Sequence, residues 1–136
     1  MMNVTEVLLK RTTDELKAIA SEFELPRFKK KSKEELVNEV ETLMKSKEFH
    51  NRVKEKLTLP MIQYLNLIFE AEGQCIDQGE LKKELPDYAA SEITYESLTK
   101  SLMSLGIIHL MDNKVCIPKE TLIWLEEFQE ATISEL

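Results

Sequence analysis

Arg27, Lys29, Lys30, Lys31 and Lys33 put five positive charges into seven residues, directly before a helix start. That pattern suits phosphate. At a helix N-terminus, cationic side chains and unpaired backbone amides point the same way. Neutralising about three to five phosphates gives steep salt dependence and little sequence preference. The plainer reading is a solvated loop.

Two further sets deserve the same comparison. The segment Thr94 to Leu105 is expected to turn Glu96, Ser97, Thr99, Lys100, Ser101 and Ser104 outward. Ser97, Lys100, Ser101 and Ser104 have the size and polarity to reach base edges or phosphates. Lys114, on an expected hairpin, would join them. Glu92 and Glu96 repel phosphate at one place, and Asp112 opposes Lys114 at the other, so a structural or protein-binding role competes. Near the C-terminus, Trp124 lies about 100° around a helix from the Leu122/Leu125 stripe. It belongs either to the core or to an exposed anchor for a partner or a second copy. Glu126, Glu127 and Glu130 beside it suit a basic partner.

Catalysis has little to work with. His50 and His109 stand apart from any nucleophile or paired carboxylate. His109 alternates with Ile108 and Leu110, as a sheet-face residue does. Cys75 and Cys116 fall on segments expected to be neighbouring strands. Buried thiols are the expectation there, with a redox pair as the alternative. Neither has Cys or His at metal-ligand spacing. Glycine-rich phosphate loops and nucleophile elbows are absent from the sequence. The expectation is a protein that is not an enzyme and needs no cofactor or metal.

The elements that must carry these residues can be read from caps and periodicity. Thr12 with Glu15, and Ser32 with Glu35, are capping-box pairs. Leu16, Ile19, Ala20 and Phe23 share one helical face; Leu36, Val37, Val40, Leu43 and Met44 share the next. Leu25-Pro26 separates them. A leading helix over Val4–Lys10 turns Val4, Val7 and Leu8 inward. Residues 45–57 form a charged helical connector carrying Phe49, Val53 and Leu57. Pro60 sits in the first turn of a helix over Met61–Ala71, whose inward residues are Ile62, Leu65, Ile68 and Phe69 and which ends at Gly73. A strand fragment at 74–76 leads to Asp77 and Glu80, which cap a short helix to Leu85, and Pro86-Asp87 then breaks the chain. After Thr94–Leu105 the period becomes extended: 107–111 and 114–117 flank Asp112-Asn113, a hairpin signal. A last helix runs from Lys119 to about Glu130, with Leu122, Leu125 and Phe128 inward.

Composition agrees with this organisation. Of 136 residues, 43% are hydrophobic, 32% charged, 3 are Gly and 4 are Pro, which favours helices with short turns over irregular structure. The net charge is −7, but residues 1–57 carry 13 Lys/Arg against 11 Asp/Glu, or +2, and residues 58–136 carry 5 against 14, or −9. No apolar run approaches the roughly 20 residues of a membrane span. The start, Met1-Met2-Asn3-Val4-Thr5-Glu6, has no signal-peptide pattern, so a cytoplasmic location is expected.

Residues 12–44 resemble the SAP domain and the related N-terminal domain of transcription termination factor Rho. The resemblance rests on Asp14-Glu15-Leu16-Lys17, Leu25-Pro26, Lys29-Lys30-Lys31 and Lys33-Glu34-Glu35-Leu36-Val37. Arg27-Phe28-Lys29 stands where many SAP domains carry a glycine. The resemblance implies a helix-extended-loop-helix unit and, from SAP domains, DNA contact. The order helix, strand, helix, helix, hairpin, helix over 58–130 is similar to a winged helix-turn-helix, in which Thr94–Leu105 takes the recognition position.

The expected fold is therefore mostly α: a helical module at 1–44, a connector at 45–57, and an α+β unit with a small hairpin at 58–136. The expected function is that of a DNA-associated regulatory or accessory protein, with RNA as the other candidate polymer. Its rival is a protein–protein adaptor acting through the acidic half.

Overall fold

The computed structural model describes residues 3–71, 74–85 and 94–134, with side chains through Gln129. The helix end at Gly73, the break at Pro86-Asp87, Glu92 and the Glu130 side chain lie outside the described residues.

Helix α1 (Val4–Leu9) starts where the Asn3 side chain accepts the Glu6 amide at 2.8 Å, and it buries Val4, Val7 and Leu8. Helices α2 (Thr13–Glu22) and α3 (Lys33–Met44) each open with a complete capping box, Thr12 with Glu15 and Ser32 with Glu35. Each box satisfies two amides that a helix start otherwise leaves unpaired. Proline is not what ends α2. Glu24 takes a left-handed φ of 55°, and the Leu25 N–H donates back to the Ala20 carbonyl at 2.9 Å. Pro26 follows a helix already closed. A single 3-10 turn, Phe28–Lys30, then leads to α3.

Helix α4 (Lys47–Lys56) is capped by Ser46, and α5 (Leu59–Phe69) follows with Pro60 in its first turn. Strand β1 (Cys75–Asp77), helix α6 (Gln78–Glu84), helix α7 (Tyr95–Ser104), strands β2 (His109–Met111) and β3 (Lys114–Cys116), and helix α8 (Lys119–Ser134) complete the described elements. The protein is mostly helical with one small antiparallel sheet, ordered β1-β3-β2. The β2–β3 turn places Asp112 and Asn113 at φ 50° and 68°, the left-handed pair that matches strand twist. The strands are shorter than expected. Ile107 and Ile108, both fully buried, belong to the approach to β2, where they anchor the chain without pairing. The last helix runs to Ser134, beyond the expected end.

One hydrophobic cluster takes residues from both ends of the chain, from Val4 to Leu125. Phe49 of α4 is completely buried, with its ring 5.0 Å from Phe23 and 6.0 Å from Trp124 of α8. Glu120 of α8 accepts the Val4 N–H of α1 at 3.1 and 3.3 Å, placing a carboxylate at the positive end of that helix. Gly106, at φ 77°, follows α7. A Cβ there would lie 2.6 Å from Met44 Cε and 3.4 Å from Ile19 Cγ2, so this turn is pressed onto α2 and α3. The segments on either side of residues 45–57 thus pack on each other through shared side chains.

Candidate functional site

The basic loop lies between α2 and α3. Arg27 adopts φ 57°, a conformation that costs a non-glycine residue strain and turns the chain sharply before the 3-10 turn. Arg27, Lys29, Lys30 and Lys33 are exposed and have no ion-pair partner among the described residues. Lys31 differs: it is half-buried and paired with Glu39 on α3. The cluster of five is in effect a cluster of four. The α3 N-terminus is also less open than its position suggested. Ser32 accepts the Glu35 amide, the Glu35 carboxylate turns back to Ser32, and Glu34 adds charge in the same turn. Side-chain cations, rather than free helix amides, are what the loop offers an anion.

Sequence reasoning missed Phe28. It is half-buried, and with Leu25, Arg27, Lys29 and Lys30 it lines a shallow depression of 510 Å³. An aromatic ring among exposed cations is the side-chain combination on which a base can stack while phosphates meet positive charge. The available signal was an aromatic residue interleaved with the basic run.

Helix α7 exposes only part of the face expected to point outward. Ser97, Lys100 and Ser101 are exposed and Ser104 is half-buried. The Ser97 hydroxyl accepts the Thr94 N–H at 2.9 Å and donates to the Thr94 carbonyl at 3.0 Å, so it builds the helix start. Ser104 donates to the Lys100 carbonyl at 3.0 Å. Thr99, expected to point outward, is buried against the fully buried Tyr64, their hydroxyls 2.8 Å apart. Burial pushes the Tyr64 phenol well above its ordinary pKa, so it stays a neutral partner. The Lys100 and Ser104 side of α7 borders a cavity shared with Arg11, Glu15, Ala18 and Ile19. Lys114 is exposed but sits in register opposite Asp77 on β1 and next to the turn that carries Asp112.

Trp124 is not an exposed anchor. Its indole is half-buried, edge-on to Phe49 and stacked on His50 with centroids 4.3 Å apart. The 100° offset that separates it from the Leu122 stripe points it at α4 instead of solvent. Burial, more than any other influence, lowers the His50 pKa, which keeps the ring neutral in that stack. Glu126 is half-buried and Glu127 exposed. Ile123, one turn before Glu127, is 55% exposed.

The cysteines are not free thiols. Cys75 and Cys116 face each other across β1 and β3 and form a disulfide. Backbone bonds from Ile117 to Gln74 and from Gln78 to Asn113 flank them, so by alternation they occupy a non-hydrogen-bonded pair, where side chains come closest. His109 is buried, 2% exposed, with its Nε2 3.2 Å from the Gly106 carbonyl. Desolvation, helped by the nearby Arg11 cation, holds its pKa down to about 3. No group of three or more His, Cys, Asp or Glu suited to a metal occurs among the described residues. Among them, no helix is long and apolar enough to cross a membrane. Compared with family models, with curated proteins and with solved structures, the chain matches none.

Proposed function

We propose that this protein is a nucleic-acid-associated accessory protein that holds the polynucleotide backbone with the loop 27–33. The observation that carries this reading is four exposed cations without ion-pair partners among the described residues, Arg27, Lys29, Lys30 and Lys33, on a chain of net charge −7. Solubility does not require such a gathering of one sign. Phe28 gives the loop a surface on which a base can stack. The likeness of residues 12–44 to SAP and Rho N-terminal modules favours the same role. In the C-terminal half, a winged-helix reading would make α7 the recognition helix, but the engaged Ser97 and Ser104 and the single lysine suit backbone support better than sequence readout. DNA is the preferred polymer on the SAP likeness, and RNA is the comparison arm.

The test is binding of duplex DNA and of single-stranded DNA and RNA at two salt concentrations. With three to four phosphates neutralised, affinity should fall roughly 40- to 150-fold between about 50 and 200 mM salt. Lys29→Glu with Lys30→Glu should abolish binding and leave the circular dichroism spectrum unchanged. Lys31→Met should change little, because Lys31 already serves Glu39. Absence of binding to every polymer at low salt would overturn the proposal. The adaptor reading would then stand, with exposed Ile123 and Glu127 on α8 as the first place to look.

A further inference from the structure

The depression beside the basic loop has a neighbour. The first, of 510 Å³, is lined by Leu25 and Phe28 and by the cations Arg27, Lys29 and Lys30. The second, of 440 Å³, lies along α3, and its lining includes Leu25, Pro26, Asn38, Glu39, Thr42 and Leu43. Leu25 belongs to both linings, which makes the two adjacent. No residue of either comes from the acidic half of the chain.

The two differ in chemistry. Three cations line the first, while the second has an apolar stretch, Leu25, Pro26 and Leu43, beside small polar groups. Its one charged residue, Glu39, is paired with Lys31, so it does not face the groove as a bare carboxylate. Asn38 and Thr42 stand one turn apart on the same side of α3, both exposed. The Thr42 hydroxyl donates to the Asn38 carbonyl at 2.9 Å, which leaves its oxygen able to accept. The Asn38 side-chain amide has no hydrogen-bond partner among the described residues. Apolar surface next to a free amide complements a nucleobase, which has a flat apolar face and an edge of donors and acceptors.

On the polynucleotide reading of the loop, we infer that the loop and the adjoining side of α3 take single-stranded nucleic acid in preference to duplex. One base lies against Phe28, and a neighbouring base lies against Leu25 and Pro26 with its edge on Asn38. A duplex keeps its bases paired inside and offers phosphates alone, so Phe28, Leu25 and Pro26 would stay in water. A single strand turns bases onto those side chains while its phosphates meet Arg27, Lys29 and Lys30.

Fluorescence anisotropy with the full chain at about 50 mM salt can compare three probes: a labelled oligothymidylate, the same strand paired with its complement, and a strand of equal charge whose central sugars lack bases. The intact strand should bind about tenfold or more tighter than either of the others. Phe28→Leu, which keeps the apolar bulk, should cost the intact strand about 5- to 100-fold and bring it toward the abasic value. Asn38→Ala, at an exposed helical position, should cost it about threefold or more. Both variants should retain the parent circular dichroism spectrum. Equal affinity for the three probes, each lost with Lys29→Glu and Lys30→Glu, overturns the single-strand assignment and leaves the loop's hold on the backbone standing. So does tighter binding of the duplex, or a gap between intact and abasic strands that survives both Phe28→Leu and Asn38→Ala. Absence of binding to all three probes overturns both readings.

Discussion

A buried imidazole without a carboxylate partner is a liability that depends on pH, and His109 is such a group. Its folded pKa is held down to about 3, by desolvation first and by Arg11 second, against an unfolded value near 6.5. The neutral form is therefore the folded form. Below pH 6.5 the unfolded chain takes up a proton that the folded chain refuses, so stability falls as pH falls, and continues to fall until the folded pKa is reached. Between pH 7 and pH 5 this one residue should cost about 2 kcal/mol. Glu15 and Glu41, whose pKa values are lowered, lose their contributions only at more acid pH, so the window above pH 5 belongs to the histidines. His50, also lowered, adds in the same direction. Urea melts at pH 7, 6 and 5 should show the loss, and His109→Gln should flatten most of it. An unchanged midpoint in the parent protein would refute the buried neutral histidine. Little of this was legible in the sequence. Alternation placed His109 on a strand face, but which face is covered depends on Arg11 and α7, which approach from distant parts of the chain. The same holds for Phe28: its neighbours in sequence marked a basic loop, while the depression it lines with Leu25 became evident only from the fold.

Elements were more legible, because caps and periodicity are local. Thr12 and Ser32 each start a helix as their spacing to Glu15 and Glu35 implied, and the Asp112-Asn113 turn has the backbone those residues favour. The connector shows where local reading stops. Phe49 and Val53 on α4 were visible as an apolar pair, but their partners Phe23 and Trp124 were not. Truncation of a fully buried Phe removes transfer energy and leaves a hole, so Phe49→Ala should cost about 3–5 kcal/mol, measured by chemical denaturation. A loss below about 1 kcal/mol would mean that α4 is not wedged between α2 and α8. The sheet has its own fastener. The Cys75–Cys116 bond closes a 41-residue separation that includes α6, α7 and β2. On the chain-entropy account, reduction should cost about 2–4 kcal/mol, seen as a melting point lower with reductant than without. Intact mass under non-reducing conditions checks the bond first. Since disulfides persist in oxidising surroundings, the same measurement on protein taken directly from cells bears on the expected cytoplasmic location.

At the scale of the whole molecule the question is whether a basic half and an acidic half behave as one body. Charge changes from +2 to −9 across residue 57, yet the side chains do not respect that line. Glu120 holds the start of α1, Arg11 holds the Leu110 carbonyl, Gly106 abuts Ile19 and Met44, and Trp124 closes on Phe49. Each of these ties joins residues at least 60 positions apart, and all but the Trp124–Phe49 contact span the connector. Cutting the chain at 57 would expose Phe49, Ile19 and Met44 together, and a piece of that size buries too little apolar surface to spare them. Two-state unfolding of the full chain is expected from such a core. The sole tryptophan reports on it directly, since Trp124 sits where α4 meets α8. Its fluorescence and the far-ultraviolet circular dichroism should therefore lose signal at the same denaturant concentration, and Phe49→Ala should move both midpoints equally. Residues 1–57 alone should give narrow, poorly dispersed NMR spectra. A dichroism transition that splits in two, with tryptophan following only one part, would show instead that the basic module folds by itself while the acidic half stands apart.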